Sequence, residues 1–478
     1  MPGIHEECGV LGIYRKDLGP VAEACYLGLC ALQHRGQESC GIAVNEDGLF
    51  RVHQDAGLVS EVMNHRVLDA LGKGNIAVGH VRYGTDQTRG RADMQPTVIE
   101  HRKGRLALAN NGSLTNYMAL REDFESKGFL FHTTGDAEII SCVITRERLT
   151  SPSIEQAVLK AMNYLQGSFT FVLMSPRKLI AVRGPSGFRP LCYGRADDGS
   201  FVVASESCAL TTLGITEIID IKPGEMVMFD EKGVHHNTSQ MGKKKPSICV
   251  FEYIYFARPD SVLDGVSVHA ARAAAGEYLA KEHPVEADIV IGVPDSGIDG
   301  AIGYARAARI NYGMGFVKNK YIGRTFINPG EWRKASVHIK LSPVSAVVKD
   351  KRVVLVDDSI VRGTTSELIV GMLKKAGAKE VHLRITAPPF MNPCYYGTDI
   401  KSKDSLIACR MSQEEIRKKI GADSLGFLSL EAVRKIAAPI PESHFCSACF
   451  DGKYPTDIPD TMERDRYSKR LVRVGENV

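Results

Sequence analysis

Residues 353–365 read VVLVDDSIVRGTT, and this stretch decides the fold of the second half of the chain. Its apolar run predicts a buried strand that ends at Asp357 and Asp358, and small residues then open a helix. Ligands bind at the carboxyl ends of strands in parallel α/β sheets, and a helix N-terminus offers N–H donors to phosphate. An isolated Asp-Asp pair would more often just end a strand and cap a helix. In the complete string we favour a binding site instead, in which the two carboxylates can accept hydrogen bonds from the hydroxyls of a ribose or hold Mg²⁺.

Strands and helices alternate on both sides of this stretch. Helical spacing is predicted over 297–310 and 366–377, between continuous apolar runs, which indicates a parallel sheet covered on both faces. This alternation of strands and helices begins after a break at 242–246. The preceding residues hold many short β-type runs and three helical stretches, and such a mixture indicates a layered α+β domain. The predicted helical stretches cover 20–33, 116–127 and 154–165.

Composition excludes several classes of protein. The 478 residues carry 60 basic and 56 acidic side chains, a net charge of +4 that gives no support for nucleic-acid or membrane binding. We see no apolar stretch of about 18 residues that would span a bilayer and no export signal. A cytoplasmic location is therefore expected.

The twelve cysteines are expected to be reduced thiols, metal ligands or catalytic groups rather than disulfides.

The string at 353–365 resembles the substrate signature of type I phosphoribosyltransferases. GVPDSG at 292–297 matches the earlier diphosphate turn, and 318–333 resembles the loop that closes over the substrate. The resemblance implies Mg²⁺ at Ser296, Asp357 and Asp358. It also implies a set of residues that bind phosphoribosyl diphosphate: Asp295, Ser296, Lys320, Arg324, Asp357, Asp358, Ser359, Arg362, Gly363, Thr364 and Thr365.

The first 140 residues carry five further motifs. They are CGVLGIY (8–14), LQHRGQES (32–39), GHVRYGT (79–85), NNGSLTN (110–116) and TTGDAE (133–138). In this order they resemble the class II glutamine amidotransferase domain, which has the αββα N-terminal-nucleophile fold. The resemblance implies that Cys8 is the nucleophile and that Arg82 and Asp136 hold the carboxylate and ammonium of glutamine. It also implies an oxyanion hole formed by Asn111 and Gly112.

In that family the nucleophilic cysteine begins the mature chain, and its own α-amino group is the base. Such an amine has a pKa near 8 and accepts a thiol proton at working pH, whereas a peptide nitrogen does not. Here seven residues, MPGIHEE, precede Cys8. The resemblance therefore implies that residues 1–7 are a propeptide, followed by the amidotransferase domain at 8–242 and the phosphoribosyltransferase domain at 243–478.

Four cysteines form a candidate metal site, with Cys446 and Cys449 in a C-x-x-C pair and Cys249 and Cys394 elsewhere in the second domain. Four thiolates suit a structural zinc or a 4Fe–4S cluster. Spacing alone slightly favours zinc. The segments around these cysteines resemble the iron–sulfur subgroup of the family, which implies a structural 4Fe–4S cluster bound by the C-terminal segment.

Taken together, the two domains resemble the amidophosphoribosyltransferase family. This implies glutamine and phosphoribosyl diphosphate as substrates, phosphoribosylamine as product, inhibition by purine nucleotides and a homo-oligomer. The chain departs from the usual motifs at Asn110, Gly84 and Ala137, and at Gly292 and Ser345. Two alternatives stay open: a paralogue with another acceptor, and a non-catalytic, nucleotide-binding regulator that senses oxygen.

Overall fold

The computed structural model describes residues 8–83, 91–319, 340–398, 400 and 402–459. No helix within these ranges is long and apolar enough to cross a membrane. None of the twelve cysteines, all of which lie in the described part, forms a disulfide.

The first half of the chain forms two antiparallel sheets. The seven-stranded sheet has the order β11-β9-β10-β1-β4-β2-β3, and the six-stranded sheet has the order β13-β12-β8-β7-β6-β5. The strands are β1 Gly9–Gly19, β2 Ser39–Glu46, β3 Leu49–Ala56, β4 Gly74–Arg82, β5 Thr97–His101, β6 Gly104–Asn111, β7 Thr170–Met174, β8 Leu179–Arg183, β9 Cys192–Arg195, β10 Phe201–Ala204, β11 Ile218–Asp220, β12 Met226–Asp230 and β13 Gly233–Asn237.

Helices cover the outer faces of both sheets. They are α1 Val21–Ala31, α2 Val59–Val62, α3 His65–Leu71, α4 Tyr117–Glu125, α5 Asp136–Thr150, α6 Ile154–Ala161 and α7 Ser207–Thr212. One apolar core fills the space between the sheets, with Val78 and Val172 among its members. A second core lies under α1, and a third under α5 and α6. This four-layer arrangement confirms the predicted αββα fold.

The second half is built around a parallel sheet of order β17-β20-β21-β22. Its strands, with the short strands around it, are β14 Ile248–Cys249, β15 Val262–Leu263, β16 Val266–Ser267, β17 Ile289–Gly292, β18 Phe316–Lys318, β19 Leu341–Pro343, β20 Arg352–Asp357, β21 Glu380–Ile385, β22 Ser424–Phe427 and β23 Phe445–Cys446. Both faces of the sheet are buried, because helices pack on each side. The predicted parallel α/β domain is therefore confirmed.

The helices of this domain include the two that the sequence predicted. They are α8 Val268–Glu282, α9 Gly297–Ala308, α10 Ser345–Val348, α11 Thr364–Lys375, α12 Gln413–Ile420, α13 Leu430–Lys435 and α14 Ala448–Asp451. A short π-helical segment, Glu252–Phe256, follows β14 directly. Because β14 pairs in parallel with β23, this segment lies close to the C-terminal cysteines.

Candidate active sites

Cys8 immediately precedes β1, a central strand of the seven-stranded sheet. Gly9 pairs with Val81 on the antiparallel strand β4, which brings Cys8 beside Arg82. Burial raises the pKa of the Cys8 thiol, whereas the main-chain N–H of Tyr83 and the charge of Arg82 lower it. A cationic neighbour and a main-chain donor stabilise a thiolate, as a nucleophilic cysteine requires.

Arg82 stands at the end of β4, where the strand leaves the sheet. Its guanidinium Nη2 lies 3.7 Å from Oδ2 of the buried Asp93. Asp93 in turn accepts hydrogen bonds from the main-chain N and the hydroxyl of Thr134, both at 2.8 Å. This contact joins the end of β4 to the loop that precedes α5, so two of the predicted glutamine-binding segments meet here.

Asn111 ends β6 in the facing sheet and is completely buried. Neither its amide nitrogen nor its amide oxygen has a hydrogen-bond partner within the described part of the chain. Most buried polar groups in proteins are paired, so an unpaired amide points to a ligand that supplies the partner. The neighbouring His80 bonds to the carbonyl of Asn110 at 3.2 Å, which fixes the end of β6 against β4.

Gly112 follows Asn111 with a φ of +130°, a backbone conformation that L side chains rarely adopt. A Cβ atom at this position would lie 2.4 Å from the carbonyl oxygen of Ser168. Glycine is therefore required twice, by conformation and by space. The requirement keeps the main chain of the predicted oxyanion hole in one orientation.

Asp136 is the first residue of α5. Its Oδ1 accepts a hydrogen bond of 3.0 Å from the main-chain N of Leu114, two residues after Gly112. The helix N-terminus thus packs on the loop that follows β6. The structure therefore brings the segments of Cys8, Arg82, Asn111, Gly112 and Asp136 to one end of the two sheets.

Two charged residues at this site were missed by sequence reasoning, although both stand in the quoted motif LQHRGQES. The Arg35 Nε donates to the carbonyl oxygen of Cys8 at 3.2 Å. Glu38 lies near Arg82; burial raises the pKa of its carboxyl group and the charge of Arg82 lowers it. The sequence shows only that these charged residues stand in a motif next to β-type runs. It does not show which residues they contact.

The second site lies at the carboxyl ends of β17 and β20. Gly292 pairs with Val356, so the turn at 293–296 follows β17 beside Asp357 and Asp358. The hydroxyls of Ser296 and Ser359 both donate to Asp358. Asp295 carries an ion pair with Lys318 at the start of the predicted loop. The two predicted substrate motifs are therefore in direct contact.

Burial and the charge of Asp358 raise the pKa of Asp357. Burial also raises the pKa of Asp358, although the hydrogen bonds from Ser296 and Ser359 lower it in part. Two adjacent buried carboxylates of this kind are expected to favour a cation or hydroxyl donors. Gly363, with a φ of +81°, then turns the chain into α11, and the first helical residues are Thr364 and Thr365.

Several predicted residues lie outside the described part of the chain. These are the proposed propeptide, 1–7, and most of the predicted loop, including Lys320, Arg324 and Arg333. Arg362 is described and lies half-buried in the turn between Asp358 and α11.

The four cysteines Cys249, Cys394, Cys446 and Cys449 line one cavity. Aromatic side chains and Arg189 are among the other residues of its wall. Within the described residues, no three histidine, cysteine, aspartate or glutamate side chains converge closely enough to bind a single metal ion.

Comparison with known proteins agrees with this division into two sites. The family model described as a glutamine amidotransferase domain matches residues 80–212, and that of a phosphoribosyl transferase domain matches residues 261–416. The amidophosphoribosyltransferase of Methanocaldococcus jannaschii is 45% identical over 466 residues, covering 94% of this chain and 98% of its own length. The Bacillus subtilis amidophosphoribosyltransferase is 45% identical over 461 residues, covering 95% of both chains.

Two solved structures have the same fold over nearly the whole chain. One is described as the allosteric regulatory enzyme of purine biosynthesis, with a TM-score of 0.87, 44% identity and coverage of 95% of this chain and 97% of that one. The other is the B. subtilis glutamine phosphoribosylpyrophosphate amidotransferase complexed with ADP and GMP, with a TM-score of 0.87, 44% identity and coverage of 95% and 98%.

The chain is thus a two-domain transferase in which a glutamine amidotransferase domain is joined to a phosphoribosyltransferase domain. It belongs to the amidophosphoribosyltransferase family, the enzymes that work in purine biosynthesis.

Proposed function

We propose that Cys8 and the residues around it hydrolyse glutamine, and that the site at 293–296 and 357–365 joins the released ammonia to phosphoribosyl diphosphate. The division of roles follows the two sites described above. The domain boundary near 242 and the removal of residues 1–7 are parts of this proposal. Removal is required because only a free α-amino group on Cys8 would act as its base.

At the first site, the Cys8 thiol transfers its proton to the α-amino group and its sulfur attacks the amide carbon of glutamine. The amide oxygen then bears a negative charge, which the Asn111 side-chain N–H and the Gly112 main-chain N–H stabilise. Collapse of this intermediate breaks the C–N bond, and ammonia leaves with a proton from the α-ammonium group. Water hydrolyses the thioester to glutamate. Arg82 and Asp136 hold the substrate's carboxylate and ammonium.

At the second site, the lone pair of ammonia forms a bond to C1 of the ribose while the bond from C1 to diphosphate breaks. A proton lost from the new C–N group completes phosphoribosylamine. The turn at 293–296 and the N-terminus of α11 bind the phosphates in this proposal. Asp357 and Asp358 bind the ribose hydroxyls and oppose the positive charge that develops at C1. An enclosed path between the sites keeps ammonia from being protonated in water.

Asp357, Asp358 and Ser296 supply the hard oxygen ligands that Mg²⁺ prefers, and Mg²⁺ commonly uses one or two carboxylates together with substrate phosphates. When bound, it would neutralise diphosphate charge. The contact between Ser296 and Asp358 supports this ligand set, because it gathers these oxygen atoms at one point.

We propose that the quartet Cys249, Cys394, Cys446 and Cys449 binds a 4Fe–4S cluster, because four thiolates suit such a cluster and these four line one cavity. A structural zinc ion is the alternative that four thiolates also suit. The cluster would join β14, the loop at 394 and the C-terminal segment, and we propose it as structural.

Purine nucleotides are proposed as inhibitors, because the related B. subtilis structure is a complex with ADP and GMP. A homo-oligomer and a cytoplasmic location stay predictions from the sequence.

The observation that carries the proposal is the buried amide of Asn111, which has no partner within the described residues and lies at the end of β6. The test compares wild type with Asn111→Ala and Cys8→Ala, assayed for glutamate release and for diphosphate release. Loss of one oxyanion donor is expected to lower kcat by about 100- to 1,000-fold. Full glutaminase activity in Cys8→Ala, or in wild type that still carries residues 1–7, would reject the proposal.

A further inference from the structure

A chain of completely buried charged side chains runs from Cys8 to the cysteine cavity. Arg35 donates from Nε to the carbonyl oxygen of Cys8 at 3.2 Å and from Nη2 to Oε1 of Glu252 at 2.7 Å. The same Oε1 accepts a hydrogen bond of 3.2 Å from Nη1 of Arg189. Arg189 lines the cavity that the four cysteines share. Three side chains therefore connect the nucleophilic residue with the proposed cluster site.

A second buried carboxylate fixes the orientation of Arg35. Glu206 accepts from Nη1 of Arg35 at 2.6 Å, and it also accepts from His34 Nε2 and Ser261 Oγ, both at 2.7 Å. Arg35 is thus held between Glu206 and Glu252. Burial lowers the pKa of Arg35, but the charges of Glu252 and Glu206 outweigh burial and raise it. The guanidinium stays charged and directs its Nε at Cys8.

Arg189, at the far end of this series of contacts, is sensitive to the charge in the cavity. Arg189 has 0% side-chain exposure and also donates from Nη2 to the carbonyl oxygen of Tyr396 at 3.0 Å, close to Cys394 in sequence. A cluster held by the four thiolates would place negative charge beside this guanidinium. That charge would attract Arg189 and weaken its ion pair with Glu252, so Glu252 would bind Arg35 more strongly, since charges interact strongly when water is excluded.

We propose that Arg35, Glu252 and Arg189 are positioning residues through which the filled cysteine cavity sets the main-chain orientation of Cys8. The proposal rests on the roles of Cys8 and of the four cysteines given above. These residues touch neither glutamine nor the sulfur of Cys8. Their effect is to hold the carbonyl group of the nucleophilic residue, and with it the direction of its thiol and of its α-amino group.

The chain offers a matched control for general loss of domain contacts. Arg183 and Asp264 form another buried pair between the same two halves of the chain, with bonds of 2.7 and 2.9 Å. Within the described residues, this pair makes no hydrogen bond to Cys8 or to a side chain that lines the cavity. Glu252→Gln and Asp264→Asn are both nearly isosteric, and each removes one buried carboxylate charge from an arginine.

The experiment measures the rate at which iodoacetamide alkylates Cys8, followed by peptide mass spectrometry, with glutaminase kcat and KM and with iron content. In Glu252→Gln we expect alkylation and kcat to fall about tenfold, a loss of about 1.4 kcal/mol, with KM changed little and iron retained. Asp264→Asn is expected to stay within about twofold of wild type in all of these. Equal losses in the two variants would overturn the proposal.

Coupling to the cavity is tested with Cys394→Ser, which should lose iron and slow the alkylation of Cys8 about as much as Glu252→Gln does. The double variant should be no slower than either single variant, because both act through one chain of contacts. Additive losses would overturn the proposal. Arg189→Lys replaces Glu252→Gln if the latter does not fold. If Cys8 of the wild type is alkylated at the normal rate but the protein releases no glutamate, the proposed function is wrong. The alkylation rates of the variants would still test the role of the positioning residues.

Discussion

His80 Nε2 lies 3.2 Å from the carbonyl oxygen of Asn110, and this contact joins the two sheets of the first domain beside the glutamine site. A carbonyl only accepts, so Nε2 carries the proton. Burial lowers the pKa of His80 to about 3, although the hydrogen bond to Asn110 opposes the shift. His80 is therefore neutral when the protein is folded, and its unprotonated Nδ1 has no hydrogen-bond partner within the described residues.

This neutral histidine predicts a loss of stability in acid. Between about pH 6.5 and pH 3 the unfolded chain binds a proton at residue 80 that the folded chain does not, so the free energy of unfolding falls as pH falls. The contribution is on the order of 1 kcal/mol per pH unit in that window. In His80→Gln, whose amide nitrogen reaches Asn110 in the same way, the slope measured by urea unfolding at pH 7, 6 and 5 should be shallower.

His65 provides the control for that measurement, because its side chain is 90% exposed on α3. His65→Gln should keep the slope of the parent. If His80→Gln and the parent lose stability equally from pH 7 to pH 5, the neutral state assigned to His80 is wrong.

Gly112→Ala should remove glutaminase activity and destabilise the first domain. The added Cβ meets the carbonyl oxygen of Ser168 at 2.4 Å and also requires a strained φ of +130°. Gly104 begins β6, the strand that ends just before Gly112, with a φ of +125° and nothing within 4 Å of its Cβ position. Gly104→Ala should therefore cost only the backbone strain, about 1–3 kcal/mol.

The two alanine variants are compared by urea unfolding and by glutamate release. A greater loss of stability in Gly112→Ala, together with full activity in a folded Gly104→Ala, supports the close packing of the oxyanion loop. Equal stability and equal activity of the two variants would contradict it.

Local motifs predicted most of the elements that hold the sites, because each motif combines a strand or a helix end with the residues that follow it. The strand before Asp357 and the helix after Gly363 are both seen, as is the parallel sheet around them. Three predicted helical stretches in the first domain correspond to α1, α4 and α6. Their apolar spacing marked them out, since one face packs on a sheet.

The helix α5 was not predicted, although the motif TTGDAE was quoted. Its buried residues include Ile139, Ile140, Val143 and Ile144, and β-branched side chains of this kind have low helix propensity. Packing against the six-stranded sheet decides its structure instead.

The buried contacts of Arg35 were also beyond sequence reasoning. Its partner Glu252 is 217 residues away, and the contact depends on how the two halves of the chain pack. A charged residue in a motif carries no sign of the distant carboxylate that it meets. Glu206 and Asp93 escaped prediction for the same reason, because their partners come from other elements.

Asp358→Asn should lower the rate of diphosphate release from phosphoribosyl diphosphate and ammonia by about 100-fold or more. The substitution removes a buried negative charge at the point where Ser296 and Ser359 converge, and such charges act strongly on a reacting centre. Ammonia replaces glutamine in the assay, so the first site does not enter the measurement.

The matched substitution is Asp288→Asn, on the residue just before β17. Asp288 is partly exposed and pairs with Arg352, away from the carboxyl ends of the strands. It should keep the rate of diphosphate release within about twofold of wild type. If Asp358→Asn binds phosphoribosyl diphosphate and releases diphosphate at the normal rate, Asp358 has no role in the second site.

Cys394→Ser should abolish iron binding, whereas Cys409→Ser should not. Cys394 lines the cavity with the other three cysteines, and Cys409, also half-buried in the same domain, instead contacts the carbonyl oxygen of Met391 at 3.3 Å. Protein purified without oxygen is analysed for iron, sulfide and zinc, together with its absorbance in the visible range. We expect about four irons and four sulfides per chain in wild type and in Cys409→Ser. One zinc per chain without sulfide would show that the four thiols bind a single ion and that no cluster forms in the cavity.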